Sequence, residues 1–272
     1  MQNKLRDKVV VITGASSGIG KALAFEFASL GSKVVLAARS EEKLRNIEKQ
    51  LVSKGHQAIA VCTDVAIRED CRKLVETAVK KFGGIDILIN NAGISMKSLF
   101  IETDIAVLQR LMEVNFWGTV YCSQYALPYL LERKGTLAAV SSIAGLQGLP
   151  GRSGYSASKS AIHGLLESIR VENLKKGLHV LIFAPGFTSS EIRKPALLGD
   201  GTEQGESPRS EDKLMPAEEV ARKMVKSILK KNDLKILTLA GNLTIVLKRL
   251  MPKLVNWGYY REFAKEPDSI LK

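Results

Sequence analysis

Short apolar runs alternate along the chain with longer segments that have helical periodicity. The runs are rich in β-branched residues and lie at 9–13, 33–37, 58–62, 85–89, 136–140 and 179–184, with a further candidate at 235–239. Continuous runs of this kind are typical of strands that are buried on both faces, as in a parallel sheet. They predict a sheet that is covered on both sides.

The intervening segments carry apolar residues at the spacing of amphipathic helices. Three such stripes are Leu23, Phe27 and Leu30; Leu74, Val75, Ala78, Val79 and Phe82; and Val220, Met224 and Ile228. Alternating strands and helices predict right-handed βαβ units and an α/β, doubly wound parallel sheet in three layers, the Rossmann fold.

We expect one catalytic, dinucleotide-binding domain over residues 1–240. The segment 198–213 is rich in Gly and acidic residues and reads as a mobile surface loop, part of a substrate loop at about 187–214. A basic amphipathic extension then covers 241–272.

The composition is that of an ordinary globular protein, with 45% hydrophobic and 25% charged residues, which excludes disordered and collagen-like classes. No apolar run is long enough for a membrane span, and no signal peptide is expected before the first strand. Cys62, Cys71 and Cys122 are scattered, which argues against a disulfide framework and favours a cytoplasmic protein. The three His residues are far apart, so no metal site is predicted.

The net charge of +12 is concentrated near the C-terminus, where residues 213–272 contain thirteen Lys and Arg against six Asp and Glu. Leu243, Leu247, Leu250 and Leu254 recur there at helical spacing, and Pro252 should break or kink the segment. One interpretation is a peripheral membrane contact. The other is a stripe that packs over the substrate pocket or against a partner subunit. No recognition motif accompanies the charge, so nucleic acid is not an expected partner.

A glycine-rich turn separates the first strand from the first long helix. Glycines there allow a tight turn and a close approach of the backbone to a pyrophosphate, which would lie at the helix N-terminus. The residues predicted to bind it are Gly14, Ser16, Ser17, Gly18, Ile19 and Gly20.

The end of the second predicted strand indicates which dinucleotide is bound. NAD sites commonly place an acidic residue there for the ribose 2′-hydroxyl, whereas this chain has Arg39. A guanidinium can pair with a 2′-phosphate and stack on adenine, so NADP is favoured over NAD. Alternatively, Arg39 only caps the helix that begins near Glu41.

Tyr155 and Lys159 lie four residues apart near the start of a predicted helix, so both side chains share one helix face. We expect the ammonium, together with a cofactor cation during oxidation, to lower the pKa of the phenol. The phenol would protonate a carbonyl oxygen or accept a proton from an alcohol. The spacing alone can arise by chance. Ser142 strengthens it, because it follows a buried strand at the sheet edge where active sites of such folds lie.

Taken together and in this order, the motifs resemble those of the short-chain dehydrogenase/reductase family over about residues 5–240. The motifs are TGASSGIG at 13–20, Asp64-Val65, Asn90-Asn91-Ala92-Gly93, Asn115, Ser142, Tyr155 with Lys159, and Pro185-Gly186. The resemblance implies an NADP(H)-dependent oxidoreductase that interconverts a carbonyl and an alcohol, with Tyr155 as general acid and base.

The resemblance also implies further roles. Asp64 and Val65 would bind the adenine, and Asn91, Ala92 and Gly93 would line the inner ribose. Asn115 would bend its helix and hold a water that links Lys159 to solvent, and Lys159 would also bind the nicotinamide ribose. The carboxamide would contact the segment that begins at Pro185 and Gly186, through Thr188 or Ser189.

The resemblance implies a homodimer or homotetramer, formed through the helices that carry Asn115 and Tyr155. Trp117, Tyr121, Tyr125 and Tyr129 form an aromatic ridge on the first of these, which fits a core or helix–helix interface. Apolar residues in the loops 94–100 and 143–152 indicate an apolar, lipid-like or steroid-like substrate. A non-catalytic nucleotide sensor or scaffold of the same fold is the alternative function.

Overall fold

Seven parallel strands form one sheet in the described part of the chain, a computed structural model covering residues 2–186, 188, 195–205, 214–265 and 269–271. The strands are β1 (Val9–Thr13), β2 (Lys33–Ala38), β3 (Ala58–Cys62), β4 (Ile87–Asn90), β5 (Thr136–Val140), β6 (His179–Ala184) and β7 (Leu234–Ile236). Their order across the sheet is β3-β2-β1-β4-β5-β6-β7. The predicted α/β doubly wound sheet is confirmed.

Helices cover both faces of this sheet. They are α1 (Gln2–Leu5), α2 (Gly18–Ser29), α3 (Glu41–Ser53), α4 (Arg68–Phe82), α5 (Ile105–Leu111), α6 (Gly118–Glu132), α7 (Ser153–Glu172), α8 (Ala217–Leu229), α9 (Leu239–Leu250) and α10 (Pro252–Ala264). A π-helical turn, Met112–Trp117, joins α5 to α6. Pro252 is the first residue of α10, so the predicted break falls between the last two helices.

The two cores follow from the alternation of side chains along the strands. In β1, Val10 and Ile12 pack in the core shared with α2, α3 and α8. Val9 and Val11 point the other way, into the core shared with α4, α6 and α7. Because β1 is buried on both faces, its sequence is an uninterrupted apolar run.

The site lies where the strand order reverses. β1 pairs with β2 on one side and with β4 on the other, so the chain crosses the sheet after β3. The loops that follow β1 and β4 therefore diverge at the carboxyl edge and leave a crevice between them.

Three strand boundaries differ from the sequence prediction. β2 extends one residue further, to Ala38, and β4 spans Ile87–Asn90 rather than 85–89. β7 is Leu234–Ile236 rather than 235–239. The last difference has a clear cause, since Thr238 caps α9 by accepting a hydrogen bond from the Gly241 N–H, and the chain turns into a helix there.

Part of the predicted substrate loop lies against the loop that follows β4. Leu197 forms isolated bridges with Met96 and Glu203 in this region. Residues 187, 189–194 and 206–213 of the loop lie outside the described residues, as does much of the segment predicted to be mobile.

Candidate active site

The turn after β1 has the backbone conformation that the sequence predicted. Gly14 and Gly18 have positive φ angles of 66° and 50°. A Cβ on Gly14 would lie 2.9 Å from the Cα of Ala92, so a side chain there would be both strained and crowded. Glycine at this position thus lets the turn pack directly against the loop that follows β4.

The N-terminus of α2 opens into the same cleft. Ser17 is its N-cap residue, and within the described chain its side chain makes no capping hydrogen bond. The N–H groups of the first turn therefore keep their capacity to bind an anion. Gly14, Ser16, Ser17, Gly18 and Ile19 line the cleft, and Gly20 is buried behind them.

Four hydrogen bonds join this turn to the end of β4. The Asn91 amide donates to the carbonyl oxygens of Thr13 at 2.9 Å and Gly14 at 3.1 Å. In return, the Thr13 hydroxyl accepts from the N–H groups of Asn91 and Ala92, each at 3.0 Å. Asn91, Ala92 and Gly93, which were predicted to line the inner ribose, also line the cleft, but the motif alone did not reveal these hydrogen bonds.

The predicted adenine end of the cleft carries more charge than the motifs indicated. Arg39 lines it together with Lys43, from the first turn of α3. Asp64 and Val65 line the opposite side, and the Asp64 carboxylate lies 3.6 Å from the Arg110 guanidinium. Lys43 and Arg110 stand outside the family motifs, so only the fold reveals them.

The predicted catalytic residues meet at the carboxyl end of β5. Ser142 follows this strand, and Tyr155 and Lys159 face it from the first turns of α7. The Lys159 Nζ donates to the Val140 carbonyl oxygen at 2.9 Å and lies 5.9 Å from the centre of the Tyr155 ring. All three line the cleft that begins at the glycine-rich turn.

The pKa of Tyr155 moves in the direction opposite to the one we predicted. Burial raises it, while the Ser142 side chain and the charge of Arg152 lower it by less. The prediction assigned the lowering to Lys159 together with a cofactor cation during oxidation, and burial lowers the pKa of Lys159 itself to about 8. The protein alone therefore holds a neutral phenol next to an ammonium that loses its proton readily.

Arg152 is a charged residue at the site that the motifs did not reveal. Its guanidinium donates to the Met96 carbonyl oxygen at 2.9 Å, which fixes the loop after β4 to the start of α7. It also lines the cleft close enough to Tyr155 to affect its pKa.

Asn115 lies in the π-helical turn between α5 and α6, the part of its helix where a bend was predicted. Its Oδ1 accepts from the Ile94 N–H at 2.8 Å, and its Nδ2 donates to the Ile94 carbonyl oxygen at 3.0 Å. The same Nδ2 donates to the Ser158 hydroxyl at 2.9 Å. Asn115 thus holds the loop after β4 against α7, one residue from Lys159.

A second polar pair lies behind the catalytic residues. Ser141 Oγ and His163 Nε2 are 2.7 Å apart, and both residues are buried. Burial lowers the pKa of His163 to about 4, helped by the positive charges of Lys159 and Arg170. His163 lies one helical turn after Lys159, and the sequence offered no reason to distinguish it from an ordinary histidine.

The segment after β6 completes the cleft wall. Pro185, Gly186 and Thr188 all line the cleft, and the Thr188 hydroxyl donates to the Gly186 carbonyl oxygen at 3.2 Å. Ser189, the other residue predicted to contact the carboxamide, lies outside the described residues.

The apolar residues predicted to line the substrate end are distributed differently. Leu149 lines the cleft, whereas Met96 is fully buried in a small separate core and Phe100 is 69% exposed. Pro195 and Leu197 contribute the apolar surface instead. The loop sequences indicated that apolar residues lie near the substrate end of the cleft, but they did not indicate which side chains point into it.

One cleft of about 930 Å³ is lined by the glycine-rich turn, Arg39, Ser142, Tyr155 and Lys159. It runs from the glycine-rich turn and Arg39 to Tyr155, a size that suits a large ligand together with a small one. Among the described residues, no cluster of three His, Cys, Asp or Glu could hold a metal ion, and no helix could cross a bilayer.

Comparison with known proteins identifies relatives of this arrangement. A family model described as short chain dehydrogenase matches residues 8–199. An 11-beta-hydroxysteroid dehydrogenase A of Arachis hypogaea is 37% identical over 280 residues, covering 99% of this chain and 79% of that protein.

Two solved structures share the fold. A short chain dehydrogenase/reductase from Burkholderia phymatum, in complex with NAD, has a TM-score of 0.81 and 26% identity, and covers 92% of this chain and 95% of its own. An alcohol dehydrogenase from the archaeon Thermococcus sibiricus, complexed with 5-hydroxy-NADP, has a TM-score of 0.72 and 25% identity. That match covers 85% of this chain and 95% of the archaeal one.

Proposed function

The chain belongs to the short-chain dehydrogenase family, and from that premise we propose that it is an NADP(H)-dependent oxidoreductase that interconverts a carbonyl and an alcohol. One observation carries the proposal. The buried Lys159, together with Tyr155 and Ser142, opens into the same cleft as an uncapped helix N-terminus and a glycine-rich turn. Proton chemistry and dinucleotide binding thus share one cleft.

The residues of the cleft fit a nicotinamide dinucleotide. The N-terminus of α2 would bind the pyrophosphate, and Asn91 keeps the glycine-rich turn in place against the end of β4. Lys159 would hold the nicotinamide ribose, and Thr188 would contact the carboxamide, both from the cleft wall. When bound, the cofactor would supply or accept the hydride.

The phenol of Tyr155 would supply the proton when a carbonyl is reduced. Because its pKa is raised, the phenol is protonated at neutral pH and can donate as negative charge develops on the substrate oxygen. The Ser142 hydroxyl would stabilise that oxygen. Lys159, with a pKa of about 8, is suited to return a proton to Tyr155. In alcohol oxidation the phenol would first pass its proton towards the neutral form of Lys159 and then accept the proton of the alcohol.

The preference for NADP rests on two cations. Arg39 and Lys43 both line the predicted adenine end, where a 2′-phosphate would add negative charge. Arg39→Ala should reduce NADPH affinity by roughly tenfold or more and leave NADH affinity nearly unchanged, since only the phosphate contact is lost. Binding titrations with both dinucleotides measure this, and an equal change for both would show that Arg39 is not the determinant.

We propose an apolar substrate on the evidence of the described lining. Leu149, Pro195 and Leu197 surround the end of the cleft that holds Tyr155. The relative from Arachis hypogaea is named a hydroxysteroid dehydrogenase, which agrees with a lipid-like or steroid-like substrate. Because such a substrate partitions into membranes, we further propose a cytoplasmic protein that contacts membranes peripherally through its C-terminal segment.

The oligomeric proposal rests on α6 and α7. Trp117 is 45% exposed on the aromatic ridge, while Tyr121, Tyr125 and Tyr129 are partly buried and pack against the core. Val171 at the end of α7 is also exposed. These surfaces suit a homodimer or homotetramer.

Replacing Tyr155 with Phe tests the central proposal. A screen of aldehydes and ketones with NADPH consumption as readout should find turnover in the wild-type protein. Tyr155→Phe should lower kcat at least 100-fold with NADPH binding retained, because only the proton donor is lost. Tyr121→Phe, which removes a hydroxyl outside the cleft, is the matched control. NADPH binding without turnover of any carbonyl would favour the nucleotide sensor instead.

A further inference from the structure

The last two helices turn an apolar face away from the protein. On α9, Leu239, Leu243, Val246 and Leu250 lie on one stripe, since residues four, seven and eleven positions apart share a helix face. Leu239 is 85% exposed and Leu250 is 74% exposed. The apolar side of this helix is therefore not part of the core.

The stripe continues onto α10 through the junction between the two helices. Met251, Leu254, Trp257 and Tyr260 are all about half exposed. The Arg261 guanidinium lies 4.5 Å from the centre of the Trp257 ring, which sets a cation beside an indole. We call these residues and the α9 stripe the outer face.

Polar contacts attach the opposite side of the two helices to the protein and to each other. The Thr244 and Tyr259 hydroxyls are 3.0 Å apart, which joins α9 to α10. Lys248 donates to the Leu146 carbonyl oxygen at 2.8 Å. The Gln147 amide donates to the Asn256 side chain at 3.3 Å. Val255 and Phe263 of α10 are buried on this side as well. Polar contacts and these two apolar side chains thus hold the pair, while most of its large apolar residues remain on the exposed side.

The charges of α9 and α10 favour one kind of partner. Apart from Lys248, which contacts the protein, residues 239–265 contain four Lys and Arg and a single acidic residue, Glu262. A basic surface of this kind repels a second copy of itself, but it attracts anionic headgroups while its apolar side chains enter the lipid. Trp257 and Tyr260 are residue types that lie at membrane interfaces.

We infer that the outer face is a docking surface for an anionic bilayer and that docking brings the substrate entrance to the lipid. The second part rests on the proposed function. The loop 143–152 connects the two, because Leu146 and Gln147 contact α9 and α10, while Leu149 and Arg152 line the cleft. An apolar substrate would pass from the bilayer to Tyr155 along this loop.

Vesicle co-sedimentation of the full chain tests the docking surface. The protein should bind vesicles of phosphatidylcholine with phosphatidylserine, and the double change Leu243→Ser with Leu250→Ser should weaken binding roughly tenfold or more. The double change Val52→Ser with Leu174→Ser removes two exposed apolar side chains elsewhere and should leave binding unchanged. Equal binding by wild type and both variants overturns the inference.

The contribution of charge is tested separately. Lys253→Gln should weaken binding to vesicles with phosphatidylserine about fivefold and leave binding to pure phosphatidylcholine unchanged. If the wild-type protein binds no vesicles, and Leu243→Ser with Leu250→Ser instead dissociates an oligomer in sedimentation velocity, then a second copy covers the face and the inference is wrong.

Turnover separates this inference from the proposed function. With a small water-soluble carbonyl and NADPH, Leu243→Ser with Leu250→Ser should have wild-type kcat. With an apolar ketone carried in vesicles, its KM should rise several-fold and its kcat should not change. An unchanged KM overturns delivery from the bilayer. An absence of turnover in every variant would count against the proposed function, while vesicle binding would still report on the docking surface.

Discussion

Replacing His163 with Gln should make the protein less sensitive to acid. His163 is buried behind the catalytic residues, and its imidazole contacts the Ser141 hydroxyl at 2.7 Å. Burial holds its pKa at about 4 in the folded protein, against an ordinary value of 6.5. Gln keeps a polar side chain of similar length but cannot take up a proton in this range.

The sign and size of the effect follow from proton linkage. As the pH falls through 6.5, the unfolded chain binds a proton at His163 and the folded protein does not, so stability is lost until the pH reaches the folded pKa. The shift to about 4 corresponds to about 3 kcal/mol in total. Of this, about 2 kcal/mol should be lost between pH 7 and pH 5.

Urea unfolding followed by tryptophan fluorescence at pH 7 and pH 5 measures the difference. Between pH 7 and pH 5, the free energy of unfolding should fall by about 2 kcal/mol less in His163→Gln than in the wild-type protein. Ser141→Ala is the control, because it removes the hydrogen bond and keeps the imidazole. Between the two pH values, this variant should lose as much unfolding free energy as the wild-type protein. If His163→Gln loses as much stability as the wild type, burial of this imidazole does not resist protonation.

Three further substitutions have defined outcomes. Asp86→Ala removes a buried carboxylate that binds both Lys8 and Arg133, and should cost about 3 kcal/mol in urea unfolding; a loss near zero would mean that these ion pairs contribute nothing. Asn115→Ala should lower kcat with a loss of about 2 kcal/mol in unfolding free energy, because it removes the hydrogen bonds to Ile94; unchanged kinetics would contradict its positioning role. Lys159→Met should abolish turnover yet raise the unfolding free energy at pH 7 by up to about 3 kcal/mol, since the lysine pKa is lowered to about 8. That gain should shrink to about 0.4 kcal/mol at pH 10.5, where the lysine is neutral in the folded protein and half protonated in the unfolded chain. A gain that stays near its value at pH 7 would refute this origin.

The strand pattern of the chain is largely readable from its sequence because the sheet is buried on both faces. The runs at 9–13, 58–62, 136–140 and 179–184 are strands with the predicted bounds. The bounds of β2 and β4 differ from the prediction by one or two residues, and those of β7 differ most. An apolar run beside a helix cap looks the same as a strand when only hydrophobicity is considered.

The sequence predicted which residues meet at the site, but it did not predict how their surroundings shift their pKa values. Motif order identified Ser142, Tyr155 and Lys159, and the structure brings them together at the end of β5. Burial raises the pKa of Tyr155, and the spacing of four residues between Tyr155 and Lys159 gives no information about burial. Arg152 and His163 escaped notice for the same reason, since their importance comes from three-dimensional neighbours.

The orientation of side chains in loops was the least predictable property. Met96 and Leu149 are both apolar loop residues near the cleft, yet the first is fully buried in a separate core and the second faces the cleft. Likewise, the leucines of α9 form a clear stripe in the sequence, but only the fold shows that the stripe points outward. Periodicity in the sequence shows which residues share a helix face, but it does not show whether that face contacts the core or solvent.

The π-helical turn at Met112–Trp117 also sets the rotational phase of the helix that follows it. A π turn holds about one residue more than an α-helical turn, and each residue rotates a helix by roughly 100°. Deleting one residue here would let α5 run smoothly into α6, but it would rotate every side chain of α6 by more than a quarter turn. The side chain of Ser123 on α6 accepts a hydrogen bond from Asn90 at the end of β4, and it would then point away from that strand. In this stretch the number of residues is constrained as tightly as their identity.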